Sequence, residues 1–233
     1  MDPQKAVAQN GPDTSMPSRI DRRRFLLFGG TLAASAALVT LSSCDRNNDD
    51  DGTGVNLGSG DTGILNYAYA LEQLEAAFYT QVVATPFSGI TAMESAYMAD
   101  IRDHEIAHRE FFKAALGDNA IPALEVNFSG INFTSRDSVL ATAKAFEDLG
   151  VAAYNGAGKL LESAAFLTLA GKIVSVEARH AALIRDLIAN GTFADNSVVD
   201  MKGLDVAMDP AEVLATASPF LKTKINASNL PTS

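Results

Sequence analysis

Residues 71–79 read LEQLEAAFY and residues 146–154 read FEDLGVAAY, so both segments follow the pattern [LF]-E-x-L-x-x-A-x-Y. Each segment is followed along the chain by a glutamate with a histidine three positions later, first as EIAH at 105–108 and then as EARH at 177–180. The chain has three histidines, and these two motifs use two of them. The matching order of the motifs indicates that a helical hairpin is duplicated within the chain.

Apolar residues recur at helical spacing around these motifs and predict four helices. Asp61 or Thr62 is expected to cap the first helix and Ser135 the third. Residues 118–136 contain Pro122 and little helical period, so they predict a long connection. The fold class is therefore all-α, a four-helix bundle of two antiparallel helical hairpins joined by a long crossover. The four helices are expected from Ile64 to about Val83, from Thr91 to Leu116, from near Asp137 to Gly156–Gly158, and from between Leu160 and Phe166 to near Asn190.

The motif glutamates and histidines are expected to meet at one level of this bundle. A glutamate and a histidine three residues apart lie on the same helix face, about 5 Å from each other. Within each hairpin, the two glutamates lie at nearly equal distances from the turn, so antiparallel packing brings them together. Burying four carboxylates is unfavourable unless cations compensate their charge. We therefore expect two metal ions, iron first and manganese as the alternative, held by Glu72, Glu105, His108, Glu147, Glu177 and His180.

Three further residues are candidates for contacts around the ions. Glu75 competes with Glu72 as a ligand, but its counterpart in the repeat is Gly150, which has no side chain, so Glu72 is favoured. Glu75 would then lie beside the site or in solvent. Tyr79 and Tyr154 follow their glutamates by about two helical turns. They are expected either to act at the site, by hydrogen-bonding it or by accepting an oxidising equivalent, or to be ordinary core tyrosines.

The remaining histidine and several acids are expected outside the site. His104 precedes Glu105 and points about 100° away from it, which favours a surface or interhelical position over a metal ligand. We expect its replacement by alanine to leave the metal content unchanged. Glu94, Glu110 and Glu162 are interpreted as surface charges.

The first 44 residues have the features of an export signal. Arg22 and Arg23 precede an apolar run from Phe25 to Leu41, which ends in LSSC at 41–44. The RRRFLL string resembles a twin-arginine (Tat) signal and LSSC resembles a lipobox, which implies lipidation of Cys44 and a periplasmic or cell-surface lipoprotein. The alternative is an uncleaved anchor helix. The expected organisation is a signal at 1–44, a flexible acidic tether at 45–60, the bundle at 61–191, and a tail at 192–233 with one short helix after Asp209-Pro210.

Charge and cysteine content exclude two classes of protein. The net charge of −10 repels phosphate backbones, so nucleic-acid binding is not expected. The single cysteine cannot form a disulfide within the chain, so packing or metal must hold the fold.

Over residues 61–191 the motifs resemble the ferritin-like superfamily, and the sequence is most similar to its exported ferritin-like and desiccation-related group. The resemblance implies one half-site with Glu72, Glu105 and His108, another with Glu147, Glu177 and His180, and bridging roles for Glu105 and Glu177. Superfamily members oxidise Fe(II), reduce or dismutate peroxide, or activate oxygen. The expected function is therefore that of a membrane-tethered di-metal oxidoreductase acting on O2 or peroxide. The alternative is a non-catalytic metal-binding or desiccation- and stress-protective envelope protein, and a homo-oligomer is left open.

Overall fold

A computed structural model describes residues 54–232 of the chain. Arg22, Arg23 and Cys44, together with the whole expected signal and residues 45–53 of the expected tether, lie outside the described residues. Within the described part, the all-α four-helix architecture is confirmed. Five α-helices and one short pair of strands are present: α1 (Gly60–Ala84), α2 (Ala92–Leu116), α3 (Arg136–Ala157), α4 (Ala164–Ile188), α5 (Pro210–Ala217), β1 (Val55–Asn56) and β2 (Ile225–Asn226).

The four long helices form two hairpins. α1 packs mainly on α2, and α3 packs mainly on α4, while α1 and α3 meet between the hairpins. Residues 117–135 connect the hairpins and begin with a 3₁₀ turn at Gly117–Asn119. In the described part of the chain, no helix is both long and apolar enough to cross a lipid bilayer.

Helix α2 begins with a capping box that also ties the hairpins together. The Thr91 side chain accepts a hydrogen bond from the Glu94 backbone N–H, and the Glu94 carboxylate accepts one from the Thr91 backbone N–H. Glu94 also forms an ion pair of 2.7 Å with Arg136 at the start of α3. The expectation that Glu94 is a surface charge is therefore wrong, because its carboxylate is buried by this double role.

The start of α1 differs from the expected capping. The helix begins at Gly60, and its N-cap residue Ser59 makes no side-chain capping bond. The Asp61 carboxylate instead accepts hydrogen bonds from the backbone N–H groups of Glu162 and Ser163, at 2.7 and 2.9 Å. Asp61 therefore fixes the turn before α4, about a hundred residues away in sequence, rather than its own helix.

Residues 54–60 belong to the fold and not to a tether, which corrects the expected boundary. Val55 donates a backbone hydrogen bond to Lys224, and Leu57 donates one to Asn226, so β1 and β2 pair in parallel. The side chain of Leu57 is completely buried in the core. Apolar Val55 and Leu57 flank polar Asn56, but so short an alternation between Asp- and Gly-rich segments does not predict a strand by itself.

The C-terminal tail returns along the bundle. The single short helix α5 packs on α3, and the segment before it runs so close to α3 that a Cβ atom on Gly156 would lie 1.8 Å from the Met208 carbonyl oxygen. Only glycine fits at that position. Farther on, Asn127 donates to Phe220 and Lys222 donates to Glu125, so the tail also fixes the connection between the hairpins.

Candidate metal centre

The structure brings all six expected ligand side chains together in the middle of the bundle. All four glutamates have no solvent exposure, and both histidines are largely buried. Each of the four long helices contributes at least one of these side chains: Glu72 from α1, Glu105 and His108 from α2, Glu147 from α3, and Glu177 and His180 from α4.

The first half-site consists of Glu72, Glu105, His108 and Glu177. Its histidine faces inward through Nδ1. That atom lies 2.9 Å from Glu177 Oε1, 3.4 Å from Glu72 Oε2 and 3.7 Å from Glu105 Oε2.

The second half-site consists of Glu105, Glu147, Glu177 and His180. His180 Nδ1 lies 2.9 Å from Glu105 Oε1, 3.4 Å from Glu147 Oε2 and 3.9 Å from Glu177 Oε2. The two half-sites thus share Glu105 and Glu177. Each of these glutamates has one carboxylate oxygen near His108 and the other near His180.

The inward-facing atoms of both half-sites have the properties of metal ligands. Eight of them are buried and have no hydrogen-bond partner among the described residues, although some lie only 2.9 Å apart. Within each half-site the candidate ligand atoms all lie within 4.8 Å of one another. Metal–ligand bonds of about 2.0–2.2 Å place neighbouring ligand atoms roughly 3.0–3.5 Å apart, so the spacing fits two bound ions. The atoms are Oε2 of Glu72 and Glu147, both carboxylate oxygens of Glu105 and Glu177, and Nδ1 of His108 and His180.

Comparison with known protein families identifies the domain that contains these half-sites. A family model described as a ferritin-like domain matches residues 60–190, which is more than half of the chain. The chain belongs to the ferritin-like domain family. A search of curated proteins found no match. The matched range spans α1 to α4 and therefore contains every residue of both half-sites.

Three glutamates of this ferritin-like domain are held toward their protonated form. Burial, together with repulsion from Glu105, outweighs the attraction of the His108 imidazole and raises the pKa of Glu72 to about 7. Burial and the same neighbour also raise the pKa of Glu147 and, more strongly, that of Glu177. Without cations, these carboxyl groups bind protons because four negative charges cannot share one buried layer.

The remaining glutamate and the two histidines are held in their charged forms. Burial opposes the charge on Glu105, but the close imidazoles of His108 and His180 outweigh it and lower the pKa to about 2. Burial likewise opposes the charge on the imidazoles. Their carboxylate neighbours nevertheless raise the pKa of His108 to about 12 and that of His180 to about 10. Metal binding at Nδ1 therefore has to displace protons from both rings.

Two tyrosines form hydrogen bonds between the two hairpins. Tyr79 in α1 donates its hydroxyl hydrogen bond to Glu147 in α3, and Tyr154 in α3 donates to Glu72 in α1. Each bond occupies Oε1 and leaves Oε2 facing the half-site. Of the two expectations for these tyrosines, hydrogen bonding to the site is the one found. The spacing of each tyrosine from the glutamate of its own helix indicated that it lies near the site. The spacing did not indicate that each tyrosine bonds the glutamate of the other hairpin.

Glu75 lies beside the half-sites without joining either of them. Its side chain is buried against Gly150, where a Cβ atom would lie 3.0 Å from Glu75 Oε1 and 3.5 Å from Glu177 Oε2. Burial and the other site carboxylates raise its pKa well above the ordinary value. The solvated alternative for Glu75 is therefore wrong, since the missing side chain at position 150 makes room for a fifth buried acid.

His104 contacts the ring nitrogen of His180 that faces away from the half-site. Its Nδ1 lies 2.9 Å from Nε2 of His180, and the two rings are stacked with centroids 5.2 Å apart. His104 is exposed and interhelical, as expected, but the sequence did not indicate its partner. When Nδ1 of His180 faces an ion, its Nε2–H donates to His104, which fixes the tautomer and the orientation of the ring.

Proposed function

We propose that this ferritin-like protein binds two ions, with Glu105 and Glu177 bridging them, and acts as a membrane-tethered oxidoreductase that uses O2 or peroxide. The observation that carries the proposal is the set of eight buried ligand atoms that lack hydrogen-bond partners and face two centres. Carboxylate and imidazole donors without any thiolate suit iron, with manganese as the alternative. Four carboxylates would balance the charge of two divalent ions.

The chain's own residues would prepare the site for this chemistry. When bound, such a metal pair supplies one electron from each ion to an oxygen species. Tyr79 and Tyr154 hold the outer oxygens of Glu147 and Glu72, so the inner oxygens are already oriented toward the half-sites. His104 orients His180 in the same way. This preorganisation means that few side chains have to move when the ions bind.

Metal content and turnover test the proposal together. The full chain, produced with its own N-terminal signal, is expected to contain about two ions per chain. It is expected to oxidise Fe(II) with O2 or to consume peroxide. Glu177→Gln should abolish turnover, while Glu110→Gln, at an exposed position of α2, should retain it. Absence of metal, or equal turnover in Glu177→Gln, would overturn the proposal. Two bound ions without turnover would favour the non-catalytic storage or protective role.

The localisation part of the proposal rests on the sequence of the N-terminal segment. The paired arginines and the LSSC string support export and lipidation at Cys44. Cys44→Ala should therefore abolish incorporation of labelled palmitate and release the protein from membranes or leave it unprocessed. Undiminished labelling of the Cys44→Ala chain, relative to wild type, would contradict the lipoprotein assignment.

A further inference from the structure

An apolar pocket of about 30 Å³ is lined by the N-terminal parts of α1 and α4 and by the C-terminal parts of α2 and α3, and it reaches the surface beside α2. We call it the α2–α4 pocket. Its outer lining includes Phe111 and Ala115, which are exposed on α2, while Tyr67 and Tyr154 are buried at its inner side. The pocket therefore extends from the protein surface into the bundle.

The inner side of the pocket borders the metal centre. Tyr154 lines the pocket and donates its hydroxyl hydrogen bond to Glu72 of the first half-site. Tyr67 also lines it and is buried. The Tyr154 side chain therefore links the pocket lining to one of the candidate ligands.

The chemistry of the lining excludes most polar occupants. Apart from the two tyrosines, every lining residue is aliphatic, a phenylalanine or a glycine. The Tyr154 hydroxyl is already bound to Glu72, so only the Tyr67 hydroxyl, which is buried without a partner, is free to bind an occupant. A buried water needs about two to four polar partners, and hydrogen peroxide, with two hydroxyl groups, needs no fewer. The pocket therefore favours an apolar molecule.

The volume of the pocket limits the size of that molecule. Roughly 10–15 Å³ of such volume accommodates one water-sized particle, so 30 Å³ accommodates about two. This space fits a diatomic gas and is too small for an organic substrate of ordinary size.

We propose that the α2–α4 pocket admits dioxygen and holds it beside Tyr154, as the oxidant of the metal centre. This inference rests on the proposed function and selects dioxygen over peroxide as the species that this route delivers. The single unpartnered hydroxyl of Tyr67 is compatible with dioxygen, which is a weak hydrogen-bond acceptor.

Xenon binding tests the pocket independently of turnover, because xenon enters dry apolar cavities. Crystals of the protein under xenon pressure should show one xenon site in the pocket. Ala170→Leu, which fills the pocket from α4, should remove that site. Ala182→Leu is the matched control, since this alanine is equally half-buried on α4 but lies outside the pocket, and it should keep the xenon. Ala115→Leu, at the exposed side of the pocket, is the second variant should Ala170→Leu fail to fold.

Oxygen kinetics complete the test on metal-loaded protein. In Ala170→Leu or Ala115→Leu, KM for dioxygen should rise roughly fivefold or more with kcat at saturating oxygen unchanged, as expected when only uniform binding is lost. Metal content and peroxide-driven turnover should stay at the wild-type level. Ordered water in place of xenon, or an unchanged KM after loss of the xenon site, would overturn the inference. Absence of metal would refute the proposed function and this inference with it, whereas oxygen turnover without a xenon site would refute the inference alone.

Discussion

The hairpins α1–α2 and α3–α4 each contribute two glutamates and one histidine at the same level, but their surroundings differ. The first hairpin has Glu75 where the second has Gly150, and it has His104 where the second has Val176. Both additional polar groups of the first hairpin lie against the second hairpin, since Glu75 packs on Gly150 and His104 bonds His180.

This difference shows that duplicated ligands need not give equivalent half-sites. His180 is held from behind by an imidazole, whereas Nε2 of His108 has no hydrogen-bond partner in the described part of the chain. A hydrogen-bonded outer nitrogen increases the basicity of a ligating imidazole. We therefore expect the second half-site to bind its ion more tightly than the first.

The largest effect is expected where the hairpins are alike, at the shared glutamates. Glu105→Gln or Glu177→Gln removes a carboxylate from both half-sites, so each variant should lose nearly all bound metal. Glu72→Gln or Glu147→Gln removes one ligand from one half-site and should retain about one ion per chain. Elemental analysis measures the difference, with Glu110→Gln as the control. Retention of one ion in a Glu105→Gln chain would show that this residue does not bridge.

The next largest effect concerns the charge that the two hairpins bury together. Metal that binds only the folded state stabilises it by about 4 kcal/mol at a thousand times Kd, which is roughly 8–16 °C in Tm for a chain of this size. Metal-free protein should therefore melt well below metal-loaded protein at pH 7. The gap should shrink at pH 5, where protons compete with the ions for the ligands.

The pKa values of the site fix the sign of this pH dependence. The raised pKa of Glu72, about 7, gives metal-free protein a stability that is complete below about 4.5 and is lost as pH rises through 7. The raised pKa values of His108 and His180 act in the same direction above about pH 6.5. The lowered pKa of Glu105 matters only below about pH 4.5. Coincident melting curves with and without metal at pH 7 would mean that the ions do not bind this layer.

The sequence was sufficient to predict the bundle and its six candidate ligands for a specific physical reason. Helical period determines which face each side chain occupies, and antiparallel hairpins of similar length bring equal distances from a turn to one level. These two rules were enough to predict that the two E-x-x-H motifs and the two preceding glutamates lie in one layer.

Contacts between the hairpins were not predictable in this way. Tyr79 bonds a residue 68 positions away, His104 one 76 positions away, and Tyr154 one 82 positions away. Such contacts depend on the rotation and shift of one hairpin against the other, which no local period specifies. The pairing of Val55–Asn56 with the C-terminal Ile225–Asn226 was missed for the same reason, because neither two-residue segment is a strand signal by itself.

A smaller effect is expected where the hairpins differ at His104. Loss of a hydrogen-bonding partner behind a metal ligand typically lowers metal affinity by about 10- to 100-fold. His104→Ala should therefore weaken the second half-site alone, while the metal content at saturation stays unchanged. Chelator competition measures the affinity, and His104→Gln, whose amide oxygen can still accept a hydrogen bond from Nε2, should recover part of it. Val176→Ala, at the equivalent position of the second hairpin, should have no effect, and equal weakening in both alanine variants would contradict the positioning role.

The smallest effect is expected at Glu75. Its pKa is raised well above 4.5 by burial and by repulsion from the site carboxylates, so metal-free protein holds Glu75 protonated under mildly acidic conditions. A protonated carboxyl group and a carboxamide have nearly the same shape and no charge. Glu75→Gln should therefore change the free energy of unfolding of metal-free protein by less than about 1 kcal/mol at pH 5.

The pH dependence of Glu75→Gln then decides whether Glu75 is the uncompensated fifth acid of the layer. A group with a raised folded-state pKa loses its contribution as pH rises from its unfolded value of about 4.5 toward the folded value. Glutamine has no such loss, so the variant should become progressively more stable than wild type as denaturant unfolding is repeated at higher pH. Glu110→Gln, which removes an exposed acid from the same hairpin, should show no such trend. If the wild type instead gained stability over Glu75→Gln with rising pH, Glu75 would be ionised and paired in the folded protein, and the room left by Gly150 would hold a stabilising charge rather than a proton.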